Sequence, residues 1–214
     1  MEPHLHPTVR GRERELGALA SAVRHLIALT VTTTAPPEET AVAAADLEAV
    51  AGRLASFVPS EVPYLYVTAA DPEAGPDEIA PFDVIHGEYN PLALPVRISL
   101  EPPRAVGRAR FTKPYEGPPG CVHGAVLCGV FDMVFTAANR LAAAAGPTVE
   151  LNVRYRRPTR LETETIFEGW VSARAGRVTT AAGRALQAGV VTVEATGKFL
   201  RMPRERVLRM GDAG

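Results

Sequence analysis

The 214-residue sequence has little cysteine, few aromatic residues and no marked excess of charge of either sign. Its two cysteines, Cys121 and Cys128, are seven positions apart. On one helix that spacing separates the Cα atoms by roughly 10 Å, which exceeds the limit of roughly 7 Å for a disulfide. Two reduced thiols are therefore expected, as in a cytoplasmic protein. The net charge of −1 gives no reason to expect nucleic acid or an anionic membrane as a partner.

Long hydrophobic runs are also lacking. The N-terminus shows no basic segment followed by an apolar run, so no secretory signal is expected. The longest apolar-rich segment, residues 122–145, is interrupted by His123, Asp132, Asn139 and Arg140, and no stretch resembles a membrane span. Apolar residues make up 46% of the chain and charged residues 22%, a balance typical of a globular protein.

The chain divides into two parts of different character. Residues 1–60 are predicted to form an N-terminal helical extension, with helices at 10–30 and 37–57 that pack on the main domain or extend an interface. Residues 61–82, rich in proline, glycine and acidic residues, are predicted to be a linker. Residues 83–214 form the predicted main domain.

The main domain shows one long apolar helix among short strands. Two or three strands are predicted within 83–112, then a loop at 113–120, a helix at 123–145 that stops at Gly146–Pro147, and strands at 149–157, 161–173, 177–187 and 190–200. Short turns between these strands favour antiparallel hairpins. The predicted fold class is α+β, with one antiparallel sheet wrapped around a single long helix.

Asp132 is the most informative residue of that helix. The residues around it are apolar on every side, which predicts a buried helix. A buried carboxylate is costly unless it is paired, protonated or functional. An ion pair with Arg154 or Arg156 is the structural alternative to a catalytic role.

The start of the helix offers a second candidate site. Gly124 follows a stiff proline-containing loop, and the first N–H groups of a helix lack intrahelical partners, so they can hold an oxyanion. The alternative is a glycine needed for close packing. Thr148, just before a strand, could orient a water molecule or satisfy the loop backbone.

The distance between these groups predicts a dimer. Gly124 and Asp132 are eight residues apart, which is roughly 12 Å along a helix. An attacking group must approach the carbonyl carbon to about 3 Å. One helix therefore cannot supply both groups to one substrate, whereas two antiparallel copies related by a two-fold axis can.

Four segments carry a resemblance to a known family: NPLALPVRISL at 90–100, YEGPPGCVHGAVLCGVFD at 115–132, TVELNVRYRRPT at 148–159 and VEATGKFLRM at 193–202. Together they resemble the PaaI-like branch of the hot-dog-fold acyl-CoA thioesterases over residues 83–202. The resemblance implies a helix wrapped by an antiparallel sheet, an acyl-CoA substrate, no metal, and no cofactor apart from the coenzyme A of the substrate.

The resemblance also implies roles for individual residues. Asp132 corresponds to the general base or nucleophile, and Thr148 to the hydroxyl that orients water. Gly124 corresponds to the residue whose amide binds the thioester carbonyl, with His123 as its neighbour at the helix start. The resemblance implies that Asp132 and Thr148 act with Gly124 and His123 of the neighbouring subunit, in a homodimer or a dimer of dimers.

Two positions depart from the family pattern, and both would border the substrate. Ala125 replaces a second glycine, which narrows the approach to the helix end. Gly117 stands where some relatives have an asparagine that contacts the substrate. Three further candidates for substrate binding are Arg154, Arg156 and Arg157, which could bind the phosphates of coenzyme A or simply form a solvated face.

Two other functions compete with hydrolysis. A non-catalytic acyl-CoA sensor could use the helical extension to bind a partner, but it would not need a buried carboxylate. A hot-dog dehydratase or hydratase would need a second acid or histidine, and the interior of the central helix contains none.

Overall fold

The computed structural model describes residues 6–63, 65 and 79–212, so most of the predicted linker lies outside the described residues. The principal helices are α1 (Glu13–Thr30), α2 (Pro37–Ala55), α3 (Gly124–Leu141) and α4 (Arg204–Leu208). The strands are β1 (Val96–Glu101), β2 (Arg104–Arg110), β3 (Thr148–Tyr155), β4 (Glu164–Ala175), β5 (Val178–Gln187) and β6 (Val190–Leu200).

The six strands form one antiparallel sheet in the order β1-β2-β4-β5-β6-β3. Tight turns join β4 to β5 and β5 to β6, as the sequence predicts, and a further tight turn joins β1 to β2. Strand β3 follows α3 in the chain and pairs with β6, so it occupies one edge of the sheet. The predicted fold class is confirmed.

The sheet wraps around α3, whose buried residues fill its concave side. Phe135 shows how closely helix and sheet approach. A Cβ added to Gly169, Gly183 or Gly197, on the adjacent strands β4, β5 and β6, would lie 3.0, 2.6 or 3.1 Å from its ring. Three glycines thus form a trough for one fully buried aromatic side chain.

Helix α3 ends earlier than predicted, at Leu141 rather than at residue 145. Ala143 has a φ of 51°, and this left-handed conformation stops the helix before Gly146–Pro147 is reached. By length and mean hydropathy alone, α3 is the one helix of the described part that could cross a membrane. A core helix wrapped by a sheet passes the same test.

The two extension helices differ in their packing. Helix α1 is fixed to the main domain, because Arg24 Nη2 donates to the carbonyl oxygens of Gly87, Glu88 and Asn90 at 3.2, 2.6 and 2.8 Å. The segment 83–95, where a further strand was possible, forms turns that receive this helix. Helix α2 has no buried residue, so it does not pack on the main domain; the second expected placement, at an interface, stays a prediction.

Candidate active site

Asp132 and Thr148 are brought together at the edge of the domain. Thr148 Oγ1 donates a hydrogen bond of 2.6 Å to Asp132 Oδ1. In the single chain Asp132 is half-buried and Thr148 is exposed, so the prediction of a fully buried carboxylate is wrong for one copy alone. The reason is that the sheet covers one side of α3, and Asp132 lies on the side next to the edge strand. Neither alternative ion pair is formed: Asp132 makes no salt bridge with Arg154 or Arg156, and Arg156 is bound to Glu194 instead.

A β-bulge in β3 explains how Thr148 reaches Asp132. Simple alternation would place Thr148 on the opposite face of the strand from Leu151, which packs against the core. The register shifts between Thr148 and Glu150, so that Thr148 pairs with Phe199 and Leu151 with Gly197. Both partners lie on the helix side of the sheet: Phe199 packs against Phe135, and a Cβ at Gly197 would lie 3.1 Å from the Phe135 ring. The extra residue therefore turns the Thr148 hydroxyl towards α3.

The start of α3 leaves one N–H group available. His123 is the N-cap, and its Nδ1 accepts a hydrogen bond of 3.1 Å from the amide of Ala125. The carbonyl of His123 accepts from the amides of Val126 and Leu127. Within the part of the chain described, no acceptor is recorded for the Gly124 amide. Gly124 N–H is therefore the group of the first turn that can donate to a ligand.

Tyr155 packs against Gly124 and was missed by the sequence analysis. Its hydroxyl donates to the Gly124 carbonyl at 3.0 Å and lies 3.2 Å from Cys128 Sγ. A Cβ at Gly124 would lie 2.8 Å from this hydroxyl, so close packing is one reason for the glycine. Burial, followed by the contact with Cys128, raises the pKa of Tyr155 to about 12. Its alternation with Leu151 and Val153 on β3 could have predicted that Tyr155 faces the helix.

The loop before α3 is folded tightly on itself. Gly117 N donates to the Cys121 carbonyl at 2.9 Å, and His123 N donates to the Tyr115 carbonyl at 2.8 Å. A Cβ at Gly117 would lie 2.8 Å from His123 Cα, so an asparagine does not fit this backbone. The side chain of Ala125 is exposed beside the helix start.

The three candidate arginines are all exposed, and two of them lie away from Asp132. Tyr155 reaches α3, so by alternation Arg154 and Arg156 point to the outer face of the sheet. Arg156 Nη2 lies 2.6 Å from Glu194 Oε2, which also occupies it as a surface ion pair. Arg157 follows the strand end. A role of these residues in phosphate binding stays a prediction.

Both cysteines are free, as predicted. Across the described residues, no group of three His, Cys, Asp or Glu side chains could hold a metal ion.

Comparisons with known proteins support one family. A family model described as the thioesterase superfamily matches residues 119–189, which include His123, Gly124, Asp132 and Thr148. No curated protein matches the sequence. A crystal structure of a thioesterase superfamily protein is 32% identical, with a TM-score of 0.75, and the match covers 86% of this chain and 94% of that one. Residues 83–214 make up less than two thirds of the chain, so a match over 86% of the chain must include part of the N-terminal region.

Two other solved structures match about half of the chain. One is a variant of the phenylacetic acid degradation protein PaaI from Thermus thermophilus, with 20% identity, a TM-score of 0.47, and coverage of 51% of this chain and 95% of that one. The other is a hypothetical thioesterase with coenzyme A from Streptococcus pneumoniae, with 14% identity, a TM-score of 0.46, and coverage of 49% and 86%. The assignment rests on the 32%-identical structure: the chain belongs to the thioesterase superfamily and is a thioester hydrolase with the hot-dog fold.

Proposed function

We propose that the protein hydrolyses acyl-CoA-type thioesters at two equivalent sites of a homodimer, with Asp132 as the catalytic carboxylate. The observation that carries the proposal is the 2.6 Å hydrogen bond from Thr148 Oγ1 to Asp132 Oδ1. The acyl-CoA class follows from the resemblance of the motifs at 115–132 and 148–159. The chemistry requires neither a metal nor a cofactor, and the free thiols agree with a cytoplasmic location.

The hydrogen bond favours Asp132 as a general base. Because Thr148 gives its proton to Asp132, the Thr148 oxygen offers only lone pairs to a neighbouring water. That water can donate one proton to Thr148 and the other to the second carboxylate oxygen of Asp132. Its own lone pair is then free to attack the thioester carbonyl carbon, while its proton passes to Asp132.

The remaining steps need a donor for the oxyanion. Attack converts the carbonyl oxygen to an oxyanion, which accepts a hydrogen bond from the Gly124 amide of the second subunit. When the tetrahedral intermediate collapses, the carbon–sulfur bond breaks and the thiolate leaves. Asp132 returns its proton to the thiolate, so that one thioester and one water give one acid and one thiol.

The edge strand supports a two-fold dimer. β3 pairs only with β6 among the described strands, and an unpaired edge is a template for another chain. Val149 and Tyr155 on this strand are 58% and 52% exposed, which is high for such side chains. Pairing of two β3 edges would cover them and bring two α3 helices side by side.

Mixed dimers test the shared site. Gly124→Pro removes the N–H group and adds a Cβ beside the Tyr155 hydroxyl. Proline suits the first helical position, and His123 already has the extended conformation that proline requires, with φ −62° and ψ 135°. We expect Asp132→Asn and Gly124→Pro each to lose activity at least about 100-fold. Mixed by co-expression, they should recover about one quarter of wild-type activity, because half of random dimers contain one intact site.

Gly124→Ala is the matched control, since it introduces the same Cβ but keeps the N–H group. It should retain far more activity than Gly124→Pro. Mixtures that stay as inactive as their parents, although mass measurement shows mixed dimers, would refute the cross-subunit site. An Asp132→Asn variant with most of its activity would refute the catalytic carboxylate.

A further inference from the structure

Helix α2 is surrounded by water in the single chain. Every residue from Pro37 to Ala55 is exposed except Val50, which is half-exposed, and none is buried. The helix is nevertheless 19 residues long and regular. Most helices in proteins are stabilised by packing of an apolar face rather than by helix propensity, so a helix without any buried residue is unusual.

An apolar stripe runs along one side of this helix. Ala44, Leu47, Ala51 and Leu54 alternate at spacings of three and four, and Val58 continues the series just after the helix. This is the spacing of a heptad seam, in which apolar positions of two helices interlock. Leu47, Leu54 and Val58 are 44%, 46% and 63% exposed.

The exposed apolar area is of the size found in protein interfaces. Phe57 and Val62, which follow the stripe, are 83% and 65% exposed. Together with the stripe, they leave on the order of 600 Å² of apolar side-chain surface in water. A stable dimer buries about 800 Å² per partner. A patch this large is rarely left uncovered on a monomer.

The charges of α2 argue for a protein partner. Four acidic residues, Glu38, Glu39, Asp46 and Glu48, outnumber the single basic residue, Arg53. A net charge of this sign disfavours anionic lipid headgroups and nucleic acid. At 100° per residue, Glu39, Asp46 and Arg53 lie roughly 100–140° from the middle of the stripe, so they would stay in solvent when the stripe is covered. A heptad seam of this kind is self-complementary across a two-fold axis.

We propose that α2 is an oligomerisation element, whose stripe packs against the α2 helix of a second copy of this chain. The contact is separate from the β3 edge. It either strengthens the dimer that shares the active sites or joins two such dimers.

Disulfide trapping in the full-length protein tests the contact. The double variant Ala44→Cys/Ala51→Cys places thiols on the stripe, where both parallel and antiparallel helix pairs bring them together. Its matched control, Val42→Cys/Ala49→Cys, has the same spacing on the opposite face. We expect more than half of the stripe variant to become disulfide-linked dimer under mild oxidation, and the control to match the wild type with its two native thiols.

Leu47→Glu/Leu54→Glu provides the second measurement, with Val42→Glu/Ala49→Glu as its control. In sedimentation, the stripe variant should lose one step of assembly or dissociate at least ten times more readily than the control. Equal cross-linking on both faces, or identical sedimentation of the two variants, would overturn the proposal and indicate a different partner for α2. Recovery of activity by mixed Asp132→Asn and Gly124→Pro dimers tests the shared site separately, so either idea can fail alone.

Discussion

At the scale of single residues, Thr148 is the group whose role is most open to direct test. Its hydroxyl is bound to Asp132, and its remaining lone pairs face the place proposed for the attacking water. Thr148→Val removes these interactions while keeping the shape of the side chain. We expect kcat to fall about 10- to 100-fold, the effect of losing one hydrogen bond to a charged group, with little change in KM.

Thr148→Ser is the matched control, because it restores the hydroxyl without the methyl group. It should regain most of the lost kcat. If the valine and serine variants are equally slow, then packing of the methyl group, and not the hydroxyl, supports the site.

Tyr155 allows a prediction about pH. Its pKa is raised from the ordinary 10.0 to about 12, first by burial and then by the hydrogen bond with Cys128. The hydroxyl therefore stays protonated below pH 10 and keeps its bond to the Gly124 carbonyl. As the pH rises from 10 towards 12, the unfolded chain loses this proton before the folded one, so Tyr155 lowers the folding stability in that range.

Spectrophotometric titration checks this value. Tyr155→Phe should remove an ionisation step near pH 12 from the titration of the folded protein and leave the ionisation of the other tyrosines unchanged. Loss of a step near 10 instead would mean that Tyr155 is an ordinary surface tyrosine.

At the scale of elements, the sequence predicted the strands and the central helix, with ends within a few residues for most of them. Alternation identified β3, and the short turns identified the hairpins. The end of α3 was placed too late, because alanines favour helix and the left-handed conformation at Ala143 has no signature in an alanine run. Thr148 was a candidate because of its position before a strand and because of the resemblance. Simple alternation would have turned its side chain away from α3, and the bulge that turns it back was not predicted.

The loop before α3 gives a prediction about stability. A Cβ at Gly117 would meet the backbone of His123 at 2.8 Å, and backbone cannot move aside as a side chain can. We expect Gly117→Ala to destabilise the fold by about 1–3 kcal/mol, which lowers Tm by several degrees.

Gly52→Ala is a suitable control, because a Cβ at that position in α2 has no neighbour within 4 Å. It should leave Tm unchanged or raise it slightly, since alanine favours helix more than glycine. Equal Tm values for both variants, measured by calorimetry, would show that the loop can shift without cost.

At the scale of the whole molecule, the proposed site uses groups from two chains. Gly124 and Asp132 are roughly 12 Å apart along one helix, so the roles proposed for them need a second copy. The lack of packing of α2 was not predictable, because an amphipathic pattern shows that a helix has an apolar face but not what covers it.

Dilution tests this dependence on assembly. If the site is shared, activity per chain should fall as the protein is diluted below the dissociation constant of the dimer, in step with the mass measured by light scattering. Constant activity per chain in a fully monomeric sample would contradict a shared site.

The bulge between Thr148 and Glu150 separates the orientation of the Thr148 hydroxyl from the alternation of side chains along the rest of β3. From Glu150 onward, side chains alternate between the two faces of the sheet, along an edge that a second chain can join. Thr148 precedes the bulge, so its orientation towards α3 does not depend on that alternation. Substitutions along the rest of β3 can therefore adapt the edge to a different partner without turning the Thr148 hydroxyl away from Asp132. Deletion of Val149 would remove the bulge and separate the hydroxyl from the carboxylate.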